Sequence, residues 1–155
     1  KRIICIDGDG SIQINIQELQ TMISNRLPIK IIIINNDGYG IIKQFQELYL
    51  NKRYEAVDSQ KGVTNPNFLK IAKAYGVKYS EIKNNYNIDK VLGNTIKSRN
   101  AEFINVFVDP NQKIIPKLTF GSPLEDLSPP LSRQEFDENM IIKSVNRVNK
   151  LTESN

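Results

Sequence analysis

Ile3-Ile4-Cys5-Ile6-Asp7-Gly8-Asp9-Gly10-Ser11 and Ile29-Lys30-Ile31-Ile32-Ile33-Ile34-Asn35-Asn36-Asp37-Gly38-Tyr39-Gly40 decide the fold. Each stretch opens with a short, β-branched run and closes on turn residues, so each predicts a buried strand. The two turns then fall at strand carboxyl ends, where open α/β sheets bind ligands. One turn offers a carboxylate and the other an amide, both hard oxygen donors. That pairing suits Mg²⁺ holding a phosphate group.

Between the two runs, Asn15 with Glu18 three positions on has the pattern of a capping box. It predicts a helix from 16 to about 25, with Ile16, Leu19, Ile23 and Leu27 as its inward stripe. Pro28 stops that helix and opens the second strand at 29–35. Beyond Gly40 a helix is expected from 41 to about 50, burying Ile41, Ile42, Phe45 and Leu48. Residues 51–66 are polar and read as a long loop. Asn67 should cap a helix through Ala74, which Gly76 ends. A brief strand at 77–79, a helix from 87 to about 99 and a last core strand at 103–108 follow, closed by Asp109-Pro110.

This alternation predicts an α/β fold: a mainly parallel sheet with helices on both faces and right-handed crossovers. Residues 1–110 would form that domain. Residues 111–155 change character, with Pro116, Pro123, Pro129 and Pro130 breaking the chain into an extended C-terminal arm and a final helix expected from 134 to about 149.

The bulk numbers bound the function. The 155 residues fit one domain, and 39% apolar with 25% charged content suits a globular protein. Net charge is +4, but the basic residues are scattered and no nucleic-acid-binding signature is present. No apolar run reaches the roughly 20 residues of a membrane span. The chain has no His, which excludes His-ligated zinc and Ser-His or Cys-His catalysis within it. It opens on Lys1-Arg2 without a targeting segment, and its single cysteine, Cys5, lies in the first strand as a small core residue. These features point to the cytoplasm.

Asp9 and Asn36 lie 27 residues apart, with one strand-helix-strand unit between them. Their side-chain oxygens and a backbone carbonyl near Gly38 would give three ligands to one ion. Phosphate oxygens and water would complete the roughly six that Mg²⁺ takes. Gly8 and Gly10 permit positive φ and close backbone approach. Amides around Gly10 and Ser11, and from Tyr39 to Ile41 at a helix start, could donate to phosphate. Other readings compete. Asp7, Asp9, Ser11 and Glu18 match positions of a calcium loop, but Ile12 stands where that loop needs glycine, and a strand precedes it. A dinucleotide fingerprint lacks its third glycine at Gln13. A plain polar turn without ligand is the remaining alternative. Asp37 reads as a solvated turn residue, Glu47 as part of a solvated helix face, and Glu125 and Asp126 as surface charges or a lid.

The same words carry a resemblance. Gly8-Asp9-Gly10-Ser11, Asn-Ile-Gln-Glu-Leu at 15–19, Leu27-Pro28, Asn35-Asn36 and Gly38-Tyr39-Gly40 resemble the C-terminal diphosphate-binding domain of thiamine-diphosphate-dependent enzymes. The branch is that of acetolactate synthase large subunits, and the similarity runs over about 2–131, since Pro123-Leu124-Glu125-Asp126-Leu127-Ser128-Pro129 resembles their carboxyl end. It implies thiamine diphosphate and Mg²⁺ as cofactors. Asp9, Asn36 and the Gly38 carbonyl would hold the metal. Gly8, Gly10, Ser11, Tyr39, Gly40 and Ile41 would border the diphosphate. It also implies a 2-keto acid substrate, a decarboxylation often followed by carboligation, and a homodimer or higher assembly. In that assembly the pyrimidine-binding domain of another subunit supplies the activating glutamate. No catalytic residue of that kind is expected in these 155 residues, and the glycine-rich segment that holds the pyrimidine would precede Lys1. The chain therefore reads as an inactive fragment of such an enzyme or, alternatively, as a separately encoded half-site subunit. The rim of the strand carboxyl ends is expected to be unusually apolar, because a partner covers it.

Overall fold

Four short runs of β-formers line up as parallel strands: β1 (Ile3–Gly8), β2 (Ile29–Asn35), β3 (Lys78–Ile82) and β4 (Glu102–Phe107). They form one sheet in the order β1-β2-β4-β3, with Ile31 opposite both Cys5 and Phe103, and Tyr79 opposite Phe103. The computed structural model describes residues 3–142, which part into two compact units at Lys113.

In the first unit, period-two alternation gives the sheet two different faces. Ile31, Ile33 and Phe103 point into a core built with Leu19 and Met22 of α1 (Glu18–Ser24) and Phe68 and Ala72 of α3 (Phe68–Tyr75). Lys30 and Glu102 alternate to the opposite face, where Thr95 of α4 (Ile88–Lys97) donates its hydroxyl to Glu102 at 3.3 Å. The sheet thus carries helices on both faces, as its alternating pattern requires. Asn67 caps α3 by accepting from the Lys70 N–H at 3.0 Å, and Gly76 (φ +73°) closes it.

Several expectations give way. β1 is an edge strand with its apolar residues in the open: Ile4 is 47% and Ile6 67% exposed, and Cys5 is exposed and not a core residue. Among the described residues only β2 flanks it, and no helix covers its outer face. Asn15 caps nothing. The turn at 8–11 runs straight into a 3-10 turn (Ser11–Asn15), so the chain is already helical where an extended cap residue would stand, and α1 begins at Glu18 with no side-chain cap. Met22 takes the buried place that the stripe assigned to Leu27, which lies past the helix end and is exposed. Glycines 8 and 10 do not adopt positive φ.

The largest departure is α2 (Gly40–Tyr49). Ile41, Ile42, Phe45 and Leu48 are all exposed, and the helix turns its polar Gln46 inward. The Gln46 amide donates to the Glu55 carbonyl and accepts from the Glu55 N–H, both at 2.9 Å, which pins the 51–66 loop to the helix. A buried amide satisfied at both ends is stable there. The apolar stripe is left facing outward beside the loop tips.

In the second unit, residues 117 and 128 pair as a two-bond antiparallel bridge. Ser132 caps α5 (Arg133–Asn139) by accepting from the Glu135 N–H. Asp126 is not a surface charge: it is buried and takes a two-pronged bond from Arg133 at 3.0 Å on each oxygen. The last helix ends at Asn139, with Met140 extended, and the rest of the span expected to 149 lies outside the described residues beyond 142. No helix among the described residues is long and apolar enough to cross a membrane.

Candidate functional site

The turns after β1 and β2 meet around Asp9, whose residue is 1% exposed. Its Oδ1 accepts from the Gly10 N–H at 3.0 Å. Its Oδ2 accepts from the Gly38 N–H at 3.0 Å and from Asn65 Nδ2 at 2.6 Å. All three donors are neutral. No Lys or Arg pairs with Asp9 among the described residues, and burial raises its carboxyl above the ordinary 3.8 despite those hydrogen bonds. A buried carboxylate with no cation beside it is costly, and such groups are ordinarily paired or bound to metal.

Asn36 joins the two turns. The inner end of its side-chain amide lies 3.1 Å from Asp9 Oδ1 and 2.8 Å from the Gly38 carbonyl oxygen, and with its nitrogen at that end the amide donates to both. Turned over, it would present Oδ1 to both neighbours, an arrangement that a cation would have to satisfy. The spacing fits either orientation, as hydrogen bonds or as neighbouring ligands of one ion. Ligands at 2.0–2.1 Å in an octahedron lie about 2.9 Å from their neighbours. Among the described residues no three His, Cys, Asp or Glu side chains cluster, and an ion bound here would take one carboxylate, one amide and one carbonyl. These hard oxygens fit Mg²⁺ with phosphate oxygens completing its shell better than they fit zinc.

Three glycines hold the turns this close. A Cβ on Gly38 would sit 2.2 Å from the Val57 carbonyl oxygen, on Gly40 2.3 Å from Asn36 Nδ2, and on Gly10 2.2 Å from the Tyr39 ring. Tyr39, 38% exposed, thus seats its ring against the first turn while its N–H donates to Val57 at 2.8 Å. Gly40 and Ile41 open α2, whose first turn has no acidic residue and no side-chain cap. Its leading amides are therefore suited to an anion. Ser11 is placed differently: its hydroxyl donates to the Asp7 carboxylate and receives the Gly8 N–H at 3.1 Å, so that side chain is held by its own turn.

A family described as "Thiamine pyrophosphate enzyme, C-terminal TPP binding domain" matches residues 1–106. The chain belongs to this family. It is similar to the acetolactate synthase large subunit of Porphyra purpurea, at 35% identity over 119 residues, covering 77% of this chain and 20% of that protein. It is also similar to the acetolactate synthase isozyme 2 large subunit of Escherichia coli K12, at 30% over 131 residues (84% and 23%). The mitochondrial acetolactate synthase catalytic subunit of Saccharomyces cerevisiae is 31% identical over 138 residues (87% and 20%). This chain therefore spans about a fifth of the length of these relatives. Among solved structures, the thiamine diphosphate-dependent 4-hydroxybenzoylformate decarboxylase of Rhodococcus jostii RHA1 aligns with a TM-score of 0.63 at 23% identity, over 70% of this chain and 20% of that one. That likeness speaks for the fold.

In this TPP-binding domain, sequence reasoning missed Asn65 and Gln13. Gln13 Nε2 donates to Asn65 Oδ1 at 2.9 Å and to the Asp9 carbonyl at 3.1 Å, and Asn65 reaches Asp9 from the 51–66 loop. Asn65 stands 56 residues from Asp9 and carries no periodic signal; an amide just before Pro66, ahead of a capped helix, was its only mark. Asp37 (φ +58°) is an exposed turn residue, and Glu47 is ion-paired to Lys113, which holds its carboxyl below the ordinary range. A cavity of about 450 Å³ lies at the opposite, amino end of the strands, lined by Met22, Leu27, Arg26, Lys78 and Arg99. Its cations stand just past the carboxyl ends of α1, α3 and α4, where helix dipoles favour positive charge. That accounts for them without a ligand.

Proposed function

We propose that this chain supplies the diphosphate- and Mg²⁺-binding half-site of an acetolactate synthase-like enzyme that decarboxylates a 2-keto acid and joins the product to a second carbonyl compound. One observation supports the reading: the buried Asp9 carboxylate, which meets only neutral donors, lies 3.1 Å from the Asn36 amide, itself 2.8 Å from the Gly38 carbonyl oxygen, beside the uncapped start of α2. Asp9, Asn36 and Gly38 hold the ion. Gly8, Gly10 and Ser11 from the first turn, and Tyr39, Gly40 and Ile41 from the second, border the diphosphate. Residues 1–110 form this unit and 111–155 its arm. Bound thiamine diphosphate would supply the electron sink for decarboxylation. The chain's own groups orient it: the carboxylate fixes the ion, the ion and the α2 amides fix the diphosphate, and Tyr39 spaces the two turns.

The activating glutamate belongs to another domain in this reading, so the 155 residues alone bind cofactor and do not turn over substrate. The exposed stripe of α2 and the open face of β1 support assembly with a second subunit, because apolar surface of this extent on a monomer marks an interface.

Calorimetric titration with thiamine diphosphate tests the assignment. Binding is expected with Mg²⁺ and lost in excess chelator; equal affinity in both would refute it. The pH dependence follows from the raised Asp9 carboxyl. In the metal-free fold that group favours stability below its ordinary 3.8, and the contribution is lost as pH rises through the raised value. The ion needs the charged form. Mg²⁺-induced thermal stabilisation should therefore grow with pH across that same window, and a stabilisation flat through it would contradict a role for Asp9.

A further inference from the structure

We propose, on the basis of the metal reading above, that Asn65 is a positioning residue that sets which ion the site prefers, with Gln13 holding it in place. Asp9 presents two oxygens, but only one is available to an ion. Oδ2 is taken by the Gly38 N–H at 3.0 Å and by Asn65 Nδ2 at 2.6 Å, while Oδ1 takes one backbone donor, the Gly10 N–H at 3.0 Å, and faces the Asn36 amide with its other lone pair. The carboxylate therefore meets the ion through a single oxygen. Mg²⁺, small and six-coordinate, takes one oxygen per carboxylate readily. Ca²⁺ takes six to eight ligands at longer distances and often uses both oxygens of one carboxylate.

Asn65 can do this only if its amide nitrogen faces Asp9, and Gln13 ensures that. Gln13 Nε2 donates to Asn65 Oδ1 at 2.9 Å, which commits the amide oxygen to Gln13 and leaves the nitrogen for the carboxylate. Gln13 Nε2 also donates to the Asp9 carbonyl at 3.1 Å, so Gln13 itself is anchored to the turn it serves. Without Asn65, each carboxylate oxygen keeps one backbone donor, the Gly10 N–H on Oδ1 and the Gly38 N–H on Oδ2, and Oδ2 regains a lone pair that it can offer to an ion beside Oδ1. The site then loses its bias toward the smaller ion.

The test is calorimetric affinity for thiamine diphosphate in the intact protein, measured with saturating Mg²⁺ and again with saturating Ca²⁺, for the wild type, Asn65→Ala and Gln13→Ala. In Asn65→Ala the Mg²⁺-supported affinity should fall about 10-fold or more. The Ca²⁺-supported affinity should fall by less than about threefold. Gln13→Ala should shift the Mg²⁺ to Ca²⁺ ratio in the same direction by a smaller factor. Equal losses with both ions would overturn the proposal, since they would mark Asn65 as merely structural; so would no loss at all. Should circular dichroism show Asn65→Ala unfolded, Gln13→Ala decides alone: a lowered ratio supports the proposal and an unchanged one overturns it. Wild-type cofactor binding indifferent to either ion would sink the metal reading itself, and this proposal with it.

Discussion

Replacing Asp9 by asparagine is expected to abolish Mg²⁺-dependent cofactor binding while changing the stability of the metal-free protein little, because the lost Gly10 bond is offset by removal of a buried charge. The substitution keeps shape and volume. The new carboxamide oxygen would continue to accept from the Gly38 N–H and Asn65 on the Oδ2 side. Its nitrogen would then stand where Oδ1 stands, where it loses the bond from the Gly10 N–H but can donate to the Asn36 amide once that amide turns its oxygen inward. A hydrogen bond takes the place of the ion. The charge removed was already unfavourable in the metal-free fold, as the raised carboxyl shows. Loss of a directly coordinating anion should exceed the effect of altering an outer-shell partner, so at least about 100-fold in Mg²⁺-linked affinity is expected. The thermal shift on adding Mg²⁺ and thiamine diphosphate should vanish, while the metal-free Tm stays close to that of the wild type. A preserved shift would show that Asp9 is not a ligand.

Gly38→Ala should be the most damaging single methyl group in the domain. Its Cβ would lie 2.2 Å from the Val57 carbonyl oxygen and 3.3 Å from the Asp58 Cα, both backbone atoms that have no rotamer to change. The bridge between residues 38 and 58 and the Tyr39 to Val57 bond at 2.8 Å would have to open. Overpacking of this kind costs about 1–3 kcal/mol. For a domain near this size each kcal/mol lowers Tm by roughly 2–4 °C. The same methyl shifts the Gly38 carbonyl and the N–H that orients Asp9, so Mg²⁺-linked binding should fall along with stability. Gly93→Ala is the contrast: nothing lies within 4 Å of its Cβ in the middle of α4, and alanine there should stabilise by about 0.5–1 kcal/mol. Thermal melts of both variants, with and without Mg²⁺, check the pair. A Gly38→Ala protein that melts and binds like the wild type would mean the loop contact is not needed.

The strands of this chain were legible because their signals are local. Ile31 and Ile33 in β2 and Phe103 in β4 are buried where uninterrupted β-branched and aromatic runs said they would be, and α3 is bracketed by the Asn67 side chain at one end and the positive φ of Gly76 at the other. The meeting of Asp9, Asn36 and Gly38 was legible for a different reason: parallel strands that are adjacent in the sheet must bring their following turns together. What failed depended on what lies opposite. The stripe on α2 demands burial but does not say against what, and in this chain Ile41 and Phe45 face outward while Gln46 faces in. β1 is as apolar as a central strand, yet among the described residues it has a single neighbour. Asn15 has a cap's chemistry without a cap's backbone, because the preceding turn is already helical. Asn65 left almost no trace, since its partner is far along the chain and its role exists only in three dimensions.

The most direct test is to locate the ion. Crystals of the protein grown with thiamine diphosphate and Mn²⁺ in place of Mg²⁺ would reveal the metal by anomalous scattering. One Mn²⁺ is expected within about 2.2 Å of Asp9 Oδ1, Asn36 Oδ1 and the Gly38 carbonyl oxygen, with diphosphate oxygens on its open side. An ordered diphosphate with its Mn²⁺ elsewhere, and Asn36 turned to donate hydrogen bonds to Asp9 and Gly38, would contradict the account.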